Sequence, residues 1–244
     1  MTASLAELVA RARAYAEDDP DPATRAELIA LADAGDAAGL RAALEPALRF
    51  GTAGLRGIVG PGPARMNRAV VIRTARALAE ELLARNVDGR TLPVVVGRDA
   101  RLPGRELLEA VAGTLAAAGV PVRYFPEPVP TPLVAFAVRA LSAQAGVVVT
   151  ASHNPADYEG MKVYGAEGIQ IVPPVDAEIE ARAAALPGAL RIPVSKDALA
   201  GGDPRVTEVP PSLVARYLDQ VEALRPPGGP ADRSLKIVHT SLHG

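Results

Sequence analysis

Apolar positions along the chain switch repeatedly between a helical and a strand period. Residues 4–16 and 23–48 are rich in Ala, Leu and Arg, which predicts short helices broken at Asp21-Pro22 and around Asp33–Asp36. The stretch FGTAGLRGIVGPGPARMN, residues 50–67, is dense in Gly and Pro and predicts loop or irregular strand. Residues 68–86 return to a strong helical period. Leu92–Val96 is a short apolar run bounded by Pro93 and Gly97, the pattern of a buried strand. A loop, GRDARLPG, leads into a helix over Arg105–Ala118 closed by Gly119, and Val120–Phe125 predicts a second strand. The rigid connector PEPVPTP, residues 126–132, precedes a helix over Leu133–Leu141 and a third strand over Gly146–Thr150. Strands alternating with helices predict β-α-β units, hence an α/β fold with a mixed, mostly parallel sheet sandwiched by helices.

The remaining chain is less regular. Residues 187–211 are rich in Pro, Gly and Asp and read as a linker. A helix over Ser212–Leu224, a loop PPGGPADRS and a strand over Leu235–Val238 follow. One helix and one strand cannot bury a core. The expected organisation is an N-terminal helical extension (1–45), a first domain (46–204) and a cut-off start of a second domain (205–244). There is no internal repeat.

Composition narrows the function. The 244 residues carry a formal net charge of -2 with both signs interspersed, which gives no basic footprint for nucleic acid and no polybasic membrane patch. No apolar run approaches the ~20 residues that span a bilayer. The N-terminus lacks the basic start and uninterrupted apolar core of a signal peptide. The chain has no cysteine, so disulfides, thiolate zinc sites and thiol nucleophiles are excluded, in keeping with a cytoplasmic protein. Aromatic residues are only 3 %, so Ala, Val and Leu must fill the core.

Candidate chemistry collects where loops leave the carboxyl ends of strands, the usual ligand edge of such sheets. Thr150-Ala151-Ser152-His153-Asn154-Pro155 is one such loop and GRDAR is another. A Ser or Asn after a strand, followed by Pro, can simply cap a helix. Alternatively, Ser152 is a displayed nucleophile. His153 is adjacent, and adjacent side chains usually point apart. Only His239 and His243 remain as bases, and no G-x-S-x-G elbow occurs, so a hydrolase triad is poorly supported. A serine among basic residues without a dedicated histidine suits phosphoryl transfer, which relies on positioning and charge neutralisation. In FGTAGLRG the glycines permit close approach to an anion, and Arg56 can fork onto phosphate oxygens. Arg98 and Arg101 flank Asp99, which reads foremost as an internal salt bridge holding the loop. Lys162 lies in the apolar run MKVYG, where burial or nearby cations would lower its pKa and let it shuttle a proton. His239 and His243 are four apart, but on an expected strand and without the zincin Glu; they do not read as a zinc pair.

Together these motifs resemble the α-D-phosphohexomutase family of phosphoglucomutases and phosphomannomutases. TASHNP resembles that family's phosphoserine loop, and FGTAGLRG, PARMN, GRDAR, YEGMKVYGAEGIQI and IVHTSLHG recur in order over roughly residues 45–244. FGTAGLRG and RMN lean toward the branch holding bacterial phosphomannomutase/phosphoglucomutase and phosphopentomutase-like enzymes. The resemblance implies a phosphohexomutase first domain and the start of a second, similar one. It implies a cycle in which phosphorylated Ser152 phosphorylates a sugar phosphate, the bisphosphate reorients, and the other phosphate returns to Ser152. It further implies acid–base and charge-stabilising roles for Arg56 and Lys162 and a place near the serine phosphate for His153. Thr52, Gly54 and Asn154 are implied on the phosphate side of the site. The implied cofactors are Mg²⁺, held through the phosphate on Ser152, and a glucose 1,6-bisphosphate-type activator that primes the serine. The family's aspartate-rich metal loop D-G-D-x-D-R, its sugar-reading G-E-x-S loop and its phosphate-binding R-x-S-G-T-E-P loop do not occur here, and YEGMKVY departs from the commoner D-N-G-Y-K-V-Y. The expectation is therefore an N-terminal part of a mutase, lacking its later domains and inactive or nearly so alone. Two other readings stay open: a stand-alone non-catalytic domain binding a phosphosugar or a protein, and a serine hydrolase using Ser152.

Overall fold

The computed structural model describes residues 3–51, 54–86, 89, 91–226, 228 and 234–243. Three short helices open the chain: α1 (Leu5–Glu17), α2 (Pro22–Ala34) and α3 (Ala37–Leu44). Each starts at a residue whose side chain satisfies free backbone N–H groups. Ser4 and Glu7 form a reciprocal capping box, Asp21 caps α2 ahead of Pro22, and Asp36 caps α3. Leu8, Leu28 and Leu40, all fully buried, join these helices into a small core of their own. Tyr15 packs from it against the main core.

The main body is one seven-stranded sheet with helices on both faces. Its strands are β1 (Phe50–Gly51), β2 (Gly54–Ile58), β3 (Val94–Arg98), β4 (Val122–Tyr124), β5 (Ala145–Val149), β6 (Tyr158–Gly165) and β7 (Val206–Glu208). The spatial order is β1-β2-β6-β5-β3-β4-β7. The pairs β5/β3, β3/β4 and β4/β7 are parallel, while β1/β2, β2/β6 and β6/β5 are antiparallel. Strands β2, β5, β3, β4 and β7 therefore point the same way. The central strands are apolar runs covered on both sides: all five residues of β5 are buried. Helices α4 (Arg68–Ala84) and α5 (Gly104–Ala117) cover the face bearing Val94, Val96, Val147 and Val149. Helices α6 (Thr131–Ala140) and α8 (Pro211–Ala223) cover the face bearing Val95 and Val148, and α7 (Val175–Ala185) packs on α4. Asn67 organises the Gly/Pro-rich stretch before α4. Its amide group donates to Gly60 O and Gly62 O, while its Oδ1 accepts from Val70 N–H as the helix cap.

Two expectations are corrected. Residues 187–211 are no linker: they carry two 3-10 turns and β7, bury Ile192, Ala198, Val206 and Val209, and bond Ser195 N–H to Gly113 O of α5. Their Pro and Gly punctuation hides apolar positions that only the neighbouring α5 and β4 reveal. The sheet thus extends past residue 204, where the first domain was expected to end, and α8 packs on α6. Leu235–Val238 is not a strand; Leu235, Ile237 and Val238 are 78–99 % exposed. Strand propensity needs a paired edge to act on, and among the described residues no strand lies beside this segment.

Candidate active site

Strand β5 ends at Val149, and the chain turns at once. Thr150 and Ala151 stay buried, Ser152 is half-buried, and His153 is exposed. Ser152 adopts φ +62°, the left-handed region that a residue with a Cβ enters only when its surroundings over-determine it. The surroundings are the GRDAR turn after β3, which runs parallel to β5 and so ends at the same sheet edge.

Arg101 dominates that turn. Its side chain is 1 % exposed. Its Nε donates to Asp99 Oδ2 at 3.1 Å. Its Nη1 donates to Pro155 O at 2.6 Å and Tyr158 O at 2.8 Å, and its Nη2 to Ser152 O at 3.2 Å and Asn154 O at 2.7 Å. A guanidinium has five N–H donors, and all five are used here. Burying it costs little because every donor is met and one bond is an ion pair. Asp99 in turn accepts from Arg101 N–H and from the Thr150 hydroxyl, the latter at 2.6 Å. Thr150 Oγ1 receives the Ser152 N–H at 2.9 Å. Asp99, Arg101 and Thr150 thus grip the backbone of the serine turn from below. Arg98 is turned aside, and its Nη1 donates to Asp99 O at 3.0 Å.

Antiparallel β2 and β6 add two cations beside the turn. Arg56 pairs in register with Gly160, and Lys162 with Val148. Arg56 Nη1 donates to Asn154 Oδ1 at 3.1 Å, joining the strand to the turn. Two glycines make room. A Cβ on Gly160 would lie 2.6 Å from both Leu55 O and Thr150 O and 2.7 Å from Arg56 Cγ. Gly54, at φ +91°, would carry a Cβ 2.6 Å from Met161 O and 3.3 Å from Lys162 Cγ. Partial burial, then the charge of Arg56, lowers the Lys162 pKa below the ordinary lysine value. Ser152 Oγ lies 3.4 Å from His153 Nδ1. The adjacent side chains therefore do not diverge as expected, because the positive φ swings the serine round. The separation is still long for an O–H···N bond.

The turn thus gathers Ser152, Asn154, Arg56, Asp99 and Arg101 in one bonded cluster, with the exposed His153 beside Ser152 and Lys162 near enough to Arg56 to feel its charge. Thr52, singled out from the sequence, lies outside the described residues. Among the described residues no three His, Cys, Asp or Glu side chains gather to hold a metal. Two features were not singled out from sequence. Glu159, fully buried beside Asp99 and Arg101, has its carboxyl pushed up to about 7, mainly by burial. Its position in the strand-like run YEGMK was the only available sign, and a Glu there is expected to face solvent. The second is the return of the chain at residues 241–243, where Ala100 N–H donates to His243 O at 2.5 Å.

The family model for phosphoglucomutase/phosphomannomutase, alpha/beta/alpha domain I, matches residues 47–187. The chain is 42 % identical over 163 residues to a Schizosaccharomyces pombe protein named "Probable phosphoribomutase", covering 67 % of this chain and 28 % of that one. It is 33 % identical over 202 residues to a phosphoglucomutase of Staphylococcus haemolyticus, covering 82 % of this chain and 35 % of that one. A solved phosphoglucomutase/phosphomannomutase family protein from Burkholderia thailandensis superimposes with a TM-score of 0.54 at 30 % identity, covering 71 % of this chain and 35 % of that one. The chain spans about a third of the length of these relatives or less.

Proposed function

The chain belongs to the phosphoglucomutase/phosphomannomutase family, and on that premise we propose that Ser152 is the phosphoryl carrier of a sugar-phosphate mutase. The observation that carries the reading is the Arg101-clamped turn, which holds a half-buried serine in a strained conformation at the ligand edge of the sheet with Arg56 bonded beside it. Phosphoryl transfer asks for a fixed nucleophile and fixed positive charge, and the site offers both. The phosphorylated serine gives its group to a hydroxyl of a sugar phosphate: the Ser–O–P bond breaks as the sugar O–P bond forms. The bisphosphate reorients, and its other phosphate returns to Ser152. The substrate class is a sugar carrying one phosphate, moved between the 1-position and the far hydroxyl, and a glucose 1,6-bisphosphate-type compound primes the serine. Arg56 steadies charge on the transferred group, and Asn154, held by Arg56, shapes the turn. Lys162, its pKa lowered by burial and by Arg56, takes the sugar hydroxyl's proton while the departing Ser152 oxygen is protonated from water. In the second half-cycle Ser152 gives its proton back to water as it attacks, and Lys162 protonates the departing sugar oxygen. His153 sits at the edge of the transferred phosphate, and Thr52 and Gly54 lie on its binding side.

The resemblance to this family implies Mg²⁺, which would neutralise phosphate charge. The described residues do not fit that ion by themselves: Asp99, the carboxylate beneath the turn, is already engaged by Arg101 and Thr150, and no group of three ligands forms. We place the metal cage and the sugar-reading surface in the two-thirds of the relatives' length that this chain does not match, with the segment from α8 onward leading to a second domain. We further place the protein in the cytoplasm; no helix among the described residues is long and apolar enough to cross a membrane.

Intact mass of the protein isolated from its own cells, with the phosphosite mapped, tests the reading. One phosphate on Ser152, lost in Ser152→Ala, is expected. A bare Ser152 that glucose 1,6-bisphosphate and Mg²⁺ cannot phosphorylate in the cell-derived protein would sink it.

A further inference from the structure

Among the described residues of the site, Glu159 is a fully buried acid that the reaction does not use and that no side chain bonds. It lies on β6 between Tyr158, whose carbonyl Arg101 holds, and Gly160, on which Arg56 rests. The residue is 0 % exposed. Its Oε1 accepts the N–H of Gly160 at 3.0 Å, and its Oε2 has no partner. Among the described residues the charges acting on it are those of Asp99 and Arg101, both from the turn after β3. Its neighbour across β2 is Gly57, which brings none.

Arg101 is the cation that would ordinarily pair with such a carboxylate. Its five donors are already committed to Asp99 and to four carbonyls, those of Ser152, Asn154, Pro155 and Tyr158. An ionised Glu159 would be a buried charge with one oxygen bare, beside a second carboxylate. A neutral Glu159 leaves only an unpaired hydroxyl, which costs far less. The alternative is to draw a donor of Arg101 away from the serine turn.

We propose that Glu159 is a positioning residue for Ser152, held as a neutral carboxylic acid so that Arg101 stays committed to the turn, and that its ionisation loosens the turn. The side chain of Glu159 bonds the Gly160 N–H and not Ser152; on this proposal it acts through Arg101. This deepens the reading of Ser152 as the phosphoryl carrier, and the test below uses no turnover, so either can fail without the other. The direction of its pKa, raised by burial and then by Asp99, agrees with the geometry.

The test compares the 244-residue chain with Glu159→Gln, which keeps the shape and cannot ionise. Thermal unfolding and amide exchange over residues 150–158 are followed from about pH 5 to about pH 8.5. The expected result is that the wild-type midpoint falls relative to the variant by roughly 5–10 °C as the pH rises. Exchange in the turn, corrected for its intrinsic pH dependence, should speed up in the wild type and not in the variant. Parallel profiles for the two proteins would overturn the proposal. If Glu159→Gln does not fold, difference infrared spectroscopy of the wild type decides: a protonated-carboxyl band that persists at about pH 6 and fades on alkalinisation supports it, and absence of that band overturns it.

Discussion

Two Asp-x-Arg turns among the described residues, Asp99-Ala100-Arg101 and Asp203-Pro204-Arg205, are built alike and used differently. In each, the arginine N–H and Nε donate to the aspartate two residues back. In each, a hydroxyl completes the carboxylate: Thr150, from a distant stretch of the chain, at 2.6 Å and Ser195, from the same stretch, at 2.5 Å. The difference lies in the rest of the guanidinium. Arg205 returns its Nη2 to the same aspartate and leaves its side chain 48 % exposed. Arg101 is 1 % exposed and sends its outer nitrogens to four carbonyls of another segment. A local motif thus sets the small ring, and its place in the fold decides whether the ring merely closes a loop or grips the turn that carries Ser152.

The largest expected break is Arg101→Ala. It strands the buried Asp99 and four half-buried carbonyls and should cost about 3–5 kcal/mol in denaturant unfolding. Arg101→Lys should recover little, since three donors cannot serve five acceptors. Arg205→Ala should move the unfolding midpoint much less, because water takes over at an exposed guanidinium; equal losses would break the comparison.

Next in size is an opposition in pH dependence. Glu159 has a folded pKa of about 7 against an ordinary 4.5. The folded state therefore holds a proton that the unfolded state releases, so its stability is greatest below the ordinary value and is lost as pH rises toward 7. The full loss is on the order of 3 kcal/mol. The Asp203 carboxyl is held well below the usual carboxylate range by the Arg205 side chain, then by Ser195. Its contribution is present above the unfolded carboxylate pKa and lost as pH falls below it. Glu159→Gln should flatten the first limb of a stability–pH profile and Asp203→Asn the second. Loss of the same limb by both variants would contradict the assignment.

Gly160→Ala should cost about 1–3 kcal/mol by overpacking. It should also displace Arg56 from Asn154, read as a shifted Arg56 side chain in a crystal structure of the variant. The smallest effect concerns the two hydroxyls. Thr150→Val should cost about 1–2 kcal/mol and free the Ser152 N–H. Ser195→Ala, on the more exposed ring, should fall below it in the same unfolding assay.

Much of this was legible in the sequence because it is local. The apolar runs at Leu92–Val96 and Gly146–Thr150 matched β3 and β5 to within two residues at each end. The helix expected at 68–86 is α4, capped by Asn67. The turns at GRDAR and TASHNP were found at one sheet edge because parallel strands must end their loops on the same side. What failed was non-local. Val206–Glu208 is a strand only because β4 offers it an edge, and Leu235–Val238, more apolar in sequence, is none.

The sequence by itself determined the α/β class, the serine at the end of a buried strand and the basic residues around it, since period, punctuation and residue type act within a few residues of chain. The tertiary structure decided the rest. It brought Arg101 under a turn some fifty residues away, placed Arg56 over Gly160, turned Glu159 inward and left Arg205 in solvent. Burial and the count of acceptors within reach depend on chain segments distant in sequence, and these quantities, not the residue names, fix what a charged side chain does.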